Sequence, residues 1–145
     1  MNILKKYVIF FGILLSLLIP LYFVLNANKT ISIEEHSWKF KLVQDAKSGT
    51  VYACADEYIS IYPDVMNLDI TCEVDNDILK IYHNNQTFDI TYSIKSSNGE
   101  SSIYNIQYKD SNGKAVSSIT QNYDGTQIPT LILQLDGYVL YFEDK

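Results

Sequence analysis

Beyond residue 35, apolar residues alternate with polar ones along most of the chain, and this period of two is the feature that most restricts its possible folds. Successive side chains of a β-strand point to opposite faces of a sheet, so the alternation predicts strands that bury one face. The clearest apolar stripes are Trp38, Phe40 and Leu42; Leu68, Ile70, Cys72 and Val74; Phe88, Ile90, Tyr92 and Ile94; Tyr104, Ile106 and Tyr108; Leu131, Leu133 and Leu135; and Tyr138, Leu140 and Phe142. Beyond residue 30 no stretch shows the helical period of about 3.6 residues, so we predict an all-β domain.

Turn signals separate these stripes. Each of the five glycines beyond residue 30 follows Ser, Asn or Asp, and such pairs favour the positive φ angles of tight hairpin turns. The signals are Lys47-Ser48-Gly49, Ser97-Asn98-Gly99, Ser111-Asn112-Gly113, Asp124-Gly125 and Asp136-Gly137. Their spacing predicts an antiparallel up-and-down β-barrel, or a sandwich, of roughly eight to ten strands.

An uncharged apolar segment of 19 residues, Tyr7 to Leu25, precedes this domain and follows Lys5 and Lys6. A membrane-spanning helix needs about 20 apolar residues, and its positive flank stays in the cytoplasm. We therefore predict a transmembrane signal anchor and short linker in residues 1–30, and an extracytoplasmic β domain in residues 31–145. The alternative is a cleaved signal peptide and a secreted domain, for which Leu25-Asn26-Ala27 is a poor cleavage site.

The formal net charge of the chain is -6, and all eleven basic residues are lysines. Residues 31–145 hold all 17 acidic residues and eight of the lysines, which gives this domain a net charge of -9. A nucleic-acid binder needs a basic patch, usually with Arg contacts to phosphate or guanine, so this composition argues against nucleic acid as a partner. We interpret the acidic charge as a solvated face that keeps the domain soluble.

The start of the first stripe carries a family resemblance. The segment His36-Ser37-Trp38-Lys39-Phe40, followed by a meander of short strands with Gly and Asn turns, resembles the small bacterial lipocalin-like (calycin-type) barrels over residues 36–145. The resemblance implies that Trp38 is a structural plug at the closed end of the barrel. His36 stands where lipocalins usually have Gly, and the Arg that usually packs over the Trp has no counterpart in this chain.

Cys54 and Cys72 are the only cysteines. Outside the cytoplasm two cysteines commonly pair, and these two lie near the ends of a segment that doubles back at Pro63-Asp64. We predict a Cys54–Cys72 disulfide, which contributes about 3 kcal/mol by the chain-entropy estimate. The alternative is two buried thiols.

Catalytic signals are missing from the sequence. His36 and His83 lie 47 positions apart, and no hydrolase, metalloprotease, Cys-x-x-Cys or phosphate-loop motif is present. The acidic residues from Asp64 to Asp77 do not follow the loop pattern of known calcium sites. We predict that the protein is not an enzyme and that it has no catalytic residues, no metal site and no cofactor.

Three tyrosines are the candidate ligand-binding residues. Tyr92, Tyr104 and Tyr108 share strand faces with apolar neighbours, so they either line a barrel interior or belong to a packed core. We predict a membrane-anchored, extracytoplasmic binding module for a small apolar or aromatic ligand. The alternative is a cell-surface protein–protein interaction module: an inhibitor, an immunity-type protein or an accessory subunit of a membrane complex. A hollow interior favours the ligand, whereas an exposed patch around Tyr58 and Tyr62 favours a protein partner.

Overall fold

The computed structural model describes residues 31–145. The predicted transmembrane anchor and linker, residues 1–30, lie outside the described residues. Among residues 31–145, none of the helices has the length and apolar character required to cross a membrane.

Ten strands and two short 3-10 helices make up the described part of the chain. The strands are β1 (Trp38–Asp45), β2 (Val51–Cys54), β3 (Met66–Asn67), β4 (Thr71–Asp75), β5 (Ile78–His83), β6 (Gln86–Ser97), β7 (Ser101–Tyr108), β8 (Ser111–Gln121), β9 (Gln127–Leu135) and β10 (Tyr138–Asp144). The 3-10 helices are Ile33–Glu35, before β1, and Asp56–Tyr58, between β2 and β3.

The strands form a closed antiparallel barrel. From β4 to β10 each strand pairs with the next along the chain, and β1 closes the barrel by pairing with both β10 and β4. Strands β2 and β3 are additions at the β1 edge, and their mutual pairing is parallel. The prediction of an all-β antiparallel barrel is thus confirmed, with eight strands in the wall and two outside it.

A bulge in β1 changes which of its residues face the interior. Phe40 pairs with Phe142 of β10, but the next register pair is Leu42 with Tyr141, so Lys41 is an extra residue. Phe40 and Phe142 belong to the main core, and Val43 packs against it. Leu42 is buried but lies outside that core. The predicted stripe Trp38, Phe40, Leu42 is therefore wrong at Leu42, because an inserted residue reverses the faces of a strand.

The barrel interior is filled by large side chains. Trp38, Phe40 and Phe142 are almost completely buried, and the two Phe rings meet edge-on with centroids 5.9 Å apart. The other main contributors to this core are Ile33, Cys72, Leu79, Ile81, Ile90, Tyr92, Tyr104, Ile106, Ala115, Leu131 and Leu133. An eight-stranded barrel is narrow enough for side chains to fill it, and here they do.

Four of the five predicted glycine turns are present, and one is not. Asp136 and Gly137 both have positive φ, 51° and 82°, as a two-residue hairpin requires. Gly113, in contrast, lies inside β8, and the turn before that strand is formed by Lys109 and Asp110. The prediction of a turn at Ser111-Asn112-Gly113 is therefore wrong. Gly113 allows the neighbouring strand β9 to approach closely instead.

The predicted disulfide is not formed: within residues 31–145, Cys54 and Cys72 are both buried free thiols. Cys54 pairs with Leu42 on β1, whereas Thr71, next to Cys72, pairs with Lys39 on the same strand. Three residues of strand span roughly 10 Å, but the Cα atoms of a disulfide lie about 4.4–6.8 Å apart. In addition, Cys72 belongs to the main core and Cys54 does not. The strand pairing therefore keeps the two sulfur atoms apart.

We expect neither thiol to react with iodoacetamide at about pH 8 in the folded protein, and both to react in urea. Burial is the main cause that raises the pKa of Cys72, to about 12. The nucleophilic thiolate is therefore scarce until the pH approaches that value. Cys54 is completely buried. Intact mass without reductant is the measurement; a urea-unfolded chain that gains no adduct would show that the cysteines are oxidised.

Candidate functional site

The segment Ile31–Glu35 closes one end of the barrel. Ile31 and Ile33 are buried, and Ser117 Oγ donates a hydrogen bond to the carbonyl oxygen of Ile31 over 2.5 Å. The amide of Ile33 donates to Tyr104 Oη over 3.2 Å. These bonds join the segment to β7 and β8, so it lies across the end of the barrel. We call this the closed end; the loop between β8 and β9 projects from it.

Trp38 lies at the closed end. Its side chain is completely buried, and Nε1–H donates to the carbonyl oxygen of Ile33 over 2.9 Å. The ring of His36 packs against the indole with centroids 5.4 Å apart. The role of Trp38 as the structural plug of a lipocalin-like barrel stays a prediction.

Two of the three candidate ligand-binding tyrosines lie together. Tyr92 and Tyr104 are buried, with rings edge-on and centroids 5.7 Å apart. Tyr92 Oη is 2.7 Å from Glu34 Oε1 and 2.8 Å from the carbonyl oxygen of Asn76. Burial, and then the hydrogen bond to Glu34, raise the pKa of Tyr92. Both hydroxyl groups therefore help to hold the segment that closes the barrel.

Tyr108 is separate from the other two. It is half-buried, its ring packs against Phe88 with centroids 5.9 Å apart, and Lys109 Nζ lies 5.0 Å from its ring centroid. None of the three tyrosines lines the surface depressions described for residues 31–145. Their role as ligand-binding residues stays a prediction.

A mainly apolar groove of about 360 Å³ lies on the outer wall of the barrel. Its apolar lining comes from Leu42, Ile128, Ile132 and Tyr141, with a contribution from the core residue Phe142, and we call it the outer groove. Polar residues complete the lining: Lys41, Gln44, Thr120, Asn122, Thr130 and Glu143. The volume lies in the range of small-ligand sites, about 300–1,000 Å³.

The outer groove follows from strand register. Ile132 of β9 pairs with Tyr141 of β10, and Tyr141 pairs with Leu42 of β1. Leu131 and Leu133 point into the core, so alternation turns Ile132 outward, and the β1 bulge turns Leu42 outward beside it. Three large apolar side chains therefore lie in one row across the outside of the wall. A polar outer face would be the ordinary pattern for such a sheet.

A polar network borders the outer groove. Gln44 Nε2 donates to Tyr141 Oη over 2.9 Å, which fixes the ring that forms the middle of the apolar row. Glu143 pairs with Lys41 and accepts a hydrogen bond from Tyr58 Oη over 2.8 Å. Burial, and then the bond to Glu143, raise the pKa of Tyr58. Tyr58 is thus engaged in this network and is not part of a flat exposed patch with Tyr62.

The two histidines do not come together. His36 Nδ1 lies 3.0 Å from Asp144 Oδ2, and His83 Nδ1 lies 3.1 Å from the carbonyl oxygen of Asp69. In the described range, 31–145, no three His, Cys, Asp or Glu side chains are grouped to hold a metal ion. That the protein is not an enzyme stays a prediction.

The described residues thus form a closed antiparallel β-barrel with an apolar depression on its outer wall. No protein-family model, curated protein or solved structure matches this chain. Membership of the lipocalin-like proteins therefore stays a prediction based on Trp38 and the strand meander.

Proposed function

We propose that this protein is a membrane-anchored, extracytoplasmic barrel that binds a small apolar or aromatic ligand in its outer groove. The observation that supports this proposal most directly is the row Leu42, Tyr141 and Ile132 on the outer wall. Such a row offers apolar contact area and an aromatic face, while Gln44 and Thr130 give the groove a polar border.

The filled interior favours the outer groove over the interior as the ligand site. A lipocalin-like ligand would enter the barrel, but Phe40, Phe142 and Trp38 occupy the core, and Tyr92 and Tyr104 hold the segment at the closed end. The eight-stranded wall and the position of Trp38 support a lipocalin-like architecture without an interior ligand. We therefore place the ligand outside.

The sequence supports the extracytoplasmic, membrane-anchored location in this proposal. A 19-residue apolar segment with two lysines before it is typical of a signal anchor. The net charge of -9 on residues 31–145 suits a soluble domain outside the cytoplasm.

Fluorescence titration of residues 31–145, which contain the whole barrel and its core, with the uncharged probe N-phenyl-1-naphthylamine tests the proposal. We expect Ile132→Glu to weaken binding about tenfold or more, because a carboxylate in the apolar row must be desolvated by the ligand. Gln134→Glu is the matched control: it is on the same face of β9, exposed and outside the groove lining. It should bind like the unchanged protein.

Two results would contradict this assignment. If Tyr104→Phe weakens binding while Ile132→Glu does not, the ligand site is in the interior. If the unchanged protein binds no probe, the ligand proposal fails and a protein partner becomes the better hypothesis. Far-UV circular dichroism establishes that each variant is folded, and Ile132→Ala, with an expected loss of about threefold, replaces Ile132→Glu if the charge prevents folding.

A further inference from the structure

The chain enters the described structure at the closed end of the barrel. Ile31 is buried there, and the bond from Ser117 Oγ to its carbonyl oxygen fixes its position beside β8. The apolar segment of the sequence stops at Leu25, so Asn26 to Thr30 are the five residues between it and Ile31. Five residues span at most about 18 Å. If the segment is an anchor, the closed end is held near the bilayer.

Exposed apolar side chains lie at this same end. Ile119 follows Ser117 by two residues in β8 and is 47% exposed. Tyr123, in the loop after β8, is fully exposed. Ile94 of β6, which pairs with Tyr104, is 64% exposed. Three large side chains from different elements thus leave apolar surface in water at the end of the barrel where Ile31 lies.

We propose that the closed end rests on the lipid bilayer, with Ile94, Ile119 and Tyr123 at the level of the headgroups. This inference rests on the anchor in the proposed function. Aromatic residues are enriched at membrane interfaces, where one end of the side chain is apolar and the other wet. The opposite end cannot rest on the bilayer. The nine residues of β9 alone extend roughly 30 Å along the strand, which is more than the five-residue linker can span.

Charge indicates which lipids suit this contact. The exposed carboxylates at or near the closed end, Glu34, Glu35, Glu100 and Asp124, outnumber the exposed lysines there, Lys95 and Lys145. Anionic headgroups would be repelled by these carboxylates, whereas zwitterionic headgroups would not. The contact is therefore with a zwitterionic or weakly charged surface, and it depends on the apolar side chains.

The test uses the full chain in nanodiscs of zwitterionic phosphatidylcholine with brominated acyl chains, which quench nearby Trp. In Tyr123→Trp we expect the emission of the added Trp to fall about twofold relative to unbrominated lipid, because an interfacial ring lies close to the chains. Tyr138→Trp is the matched control: Tyr138 is 49% exposed and follows the β9–β10 turn at the opposite end. Both variants also contain Trp38, so the emission of Trp38, measured in the unchanged protein, is subtracted from each.

Two further measurements test whether the contact depends on the apolar side chains and on lipid charge. Ile94→Ser with Ile119→Ser should restore most of the emission in Tyr123→Trp, and anionic phosphatidylglycerol nanodiscs at low salt should do the same. Equal quenching in Tyr123→Trp and Tyr138→Trp, or none in either while the protein stays on the nanodisc, overturns the orientation and leaves the proposed function intact. A protein that leaves the nanodisc on size-exclusion chromatography overturns the anchor, and with it the orientation.

Discussion

Trp38→Ala is expected to lower the free energy of unfolding by about 4 kcal/mol, because truncation of a fully buried aromatic side chain leaves a cavity. Trp38 is completely buried, and its Nε1–H bonds to the carbonyl oxygen of Ile33. The substitution removes both the packing at the closed end and the bond that ties the segment before β1 to the barrel. Since small domains are stable by only about 5–15 kcal/mol, a large part of the folded stability should be lost.

Urea unfolding followed by far-UV circular dichroism measures this loss. Trp38→Phe is the control that separates packing from hydrogen bonding, and we expect it to cost about 2 kcal/mol, since it keeps an aromatic ring but leaves the Ile33 carbonyl without its donor. If Trp38→Ala costs less than Trp38→Phe, or if neither changes the urea midpoint, Trp38 does not support the closed end.

Gly113→Ala is the second large effect, with an expected loss of about 3 kcal/mol. A Cβ atom at position 113 would lie 2.2 Å from the carbonyl oxygen of Gln134 and 3.0 Å from Leu135 Cδ1. The first of these atoms is backbone, so the added methyl group can be accepted only if β8 and β9 move apart. Replacing Gly where the backbone permits Ala usually stabilises by about 0.4–1 kcal/mol. A loss of stability in Gly113→Ala would therefore indicate the clash with β9, whereas a gain would indicate that Ala fits.

Asn112→Ala is the matched control, because Asn112 is the preceding, exposed residue of the same strand. Its effect on the urea midpoint should be within about 0.5 kcal/mol of zero. Amide hydrogen exchange should show reduced protection around Lys114 and Gln134, which pair in the β8–β9 ladder, in Gly113→Ala only. An unchanged or higher midpoint in Gly113→Ala would mean that the strands are not in close approach there.

The barrel class followed from the sequence because period-two stripes and hairpin signals are local properties. Asp136-Gly137 and the stripe Leu131, Leu133 needed no information from the rest of the chain. The bulge in β1 was not predictable in this way, since whether Lys41 is an extra residue depends on its pairing with β10. The requirement for glycine at position 113 was not predictable either, because it arises from the backbone of Gln134, 21 positions further along the chain.

The outer groove was not predicted for a related reason. It exists because Leu42, Tyr141 and Ile132 come into one row, and their register spans β1, β10 and β9. A signal was nevertheless present: Leu131, Ile132 and Leu133 are continuously apolar, which is atypical of a strand with one solvated face. The predicted disulfide is not formed because position along the chain does not report the register in which β2 and β4 pair with β1.

The pairing of β1 with β10 has a consequence for how the protein reaches its folded state. Trp38 and Asp144 are register partners although more than a hundred residues separate them. Because synthesis runs from the N-terminus to the C-terminus, β1 leaves the ribosome long before its partner strand β10 is made. Until β10 emerges, the hairpins from β4 to β9 can form, but the wall stays open and Phe40 lacks its partner Phe142. We expect closure to be the last and slowest step, because its contacts have high sequence separation. A chain stalled before β10 is complete would present an open sheet to chaperones and proteases.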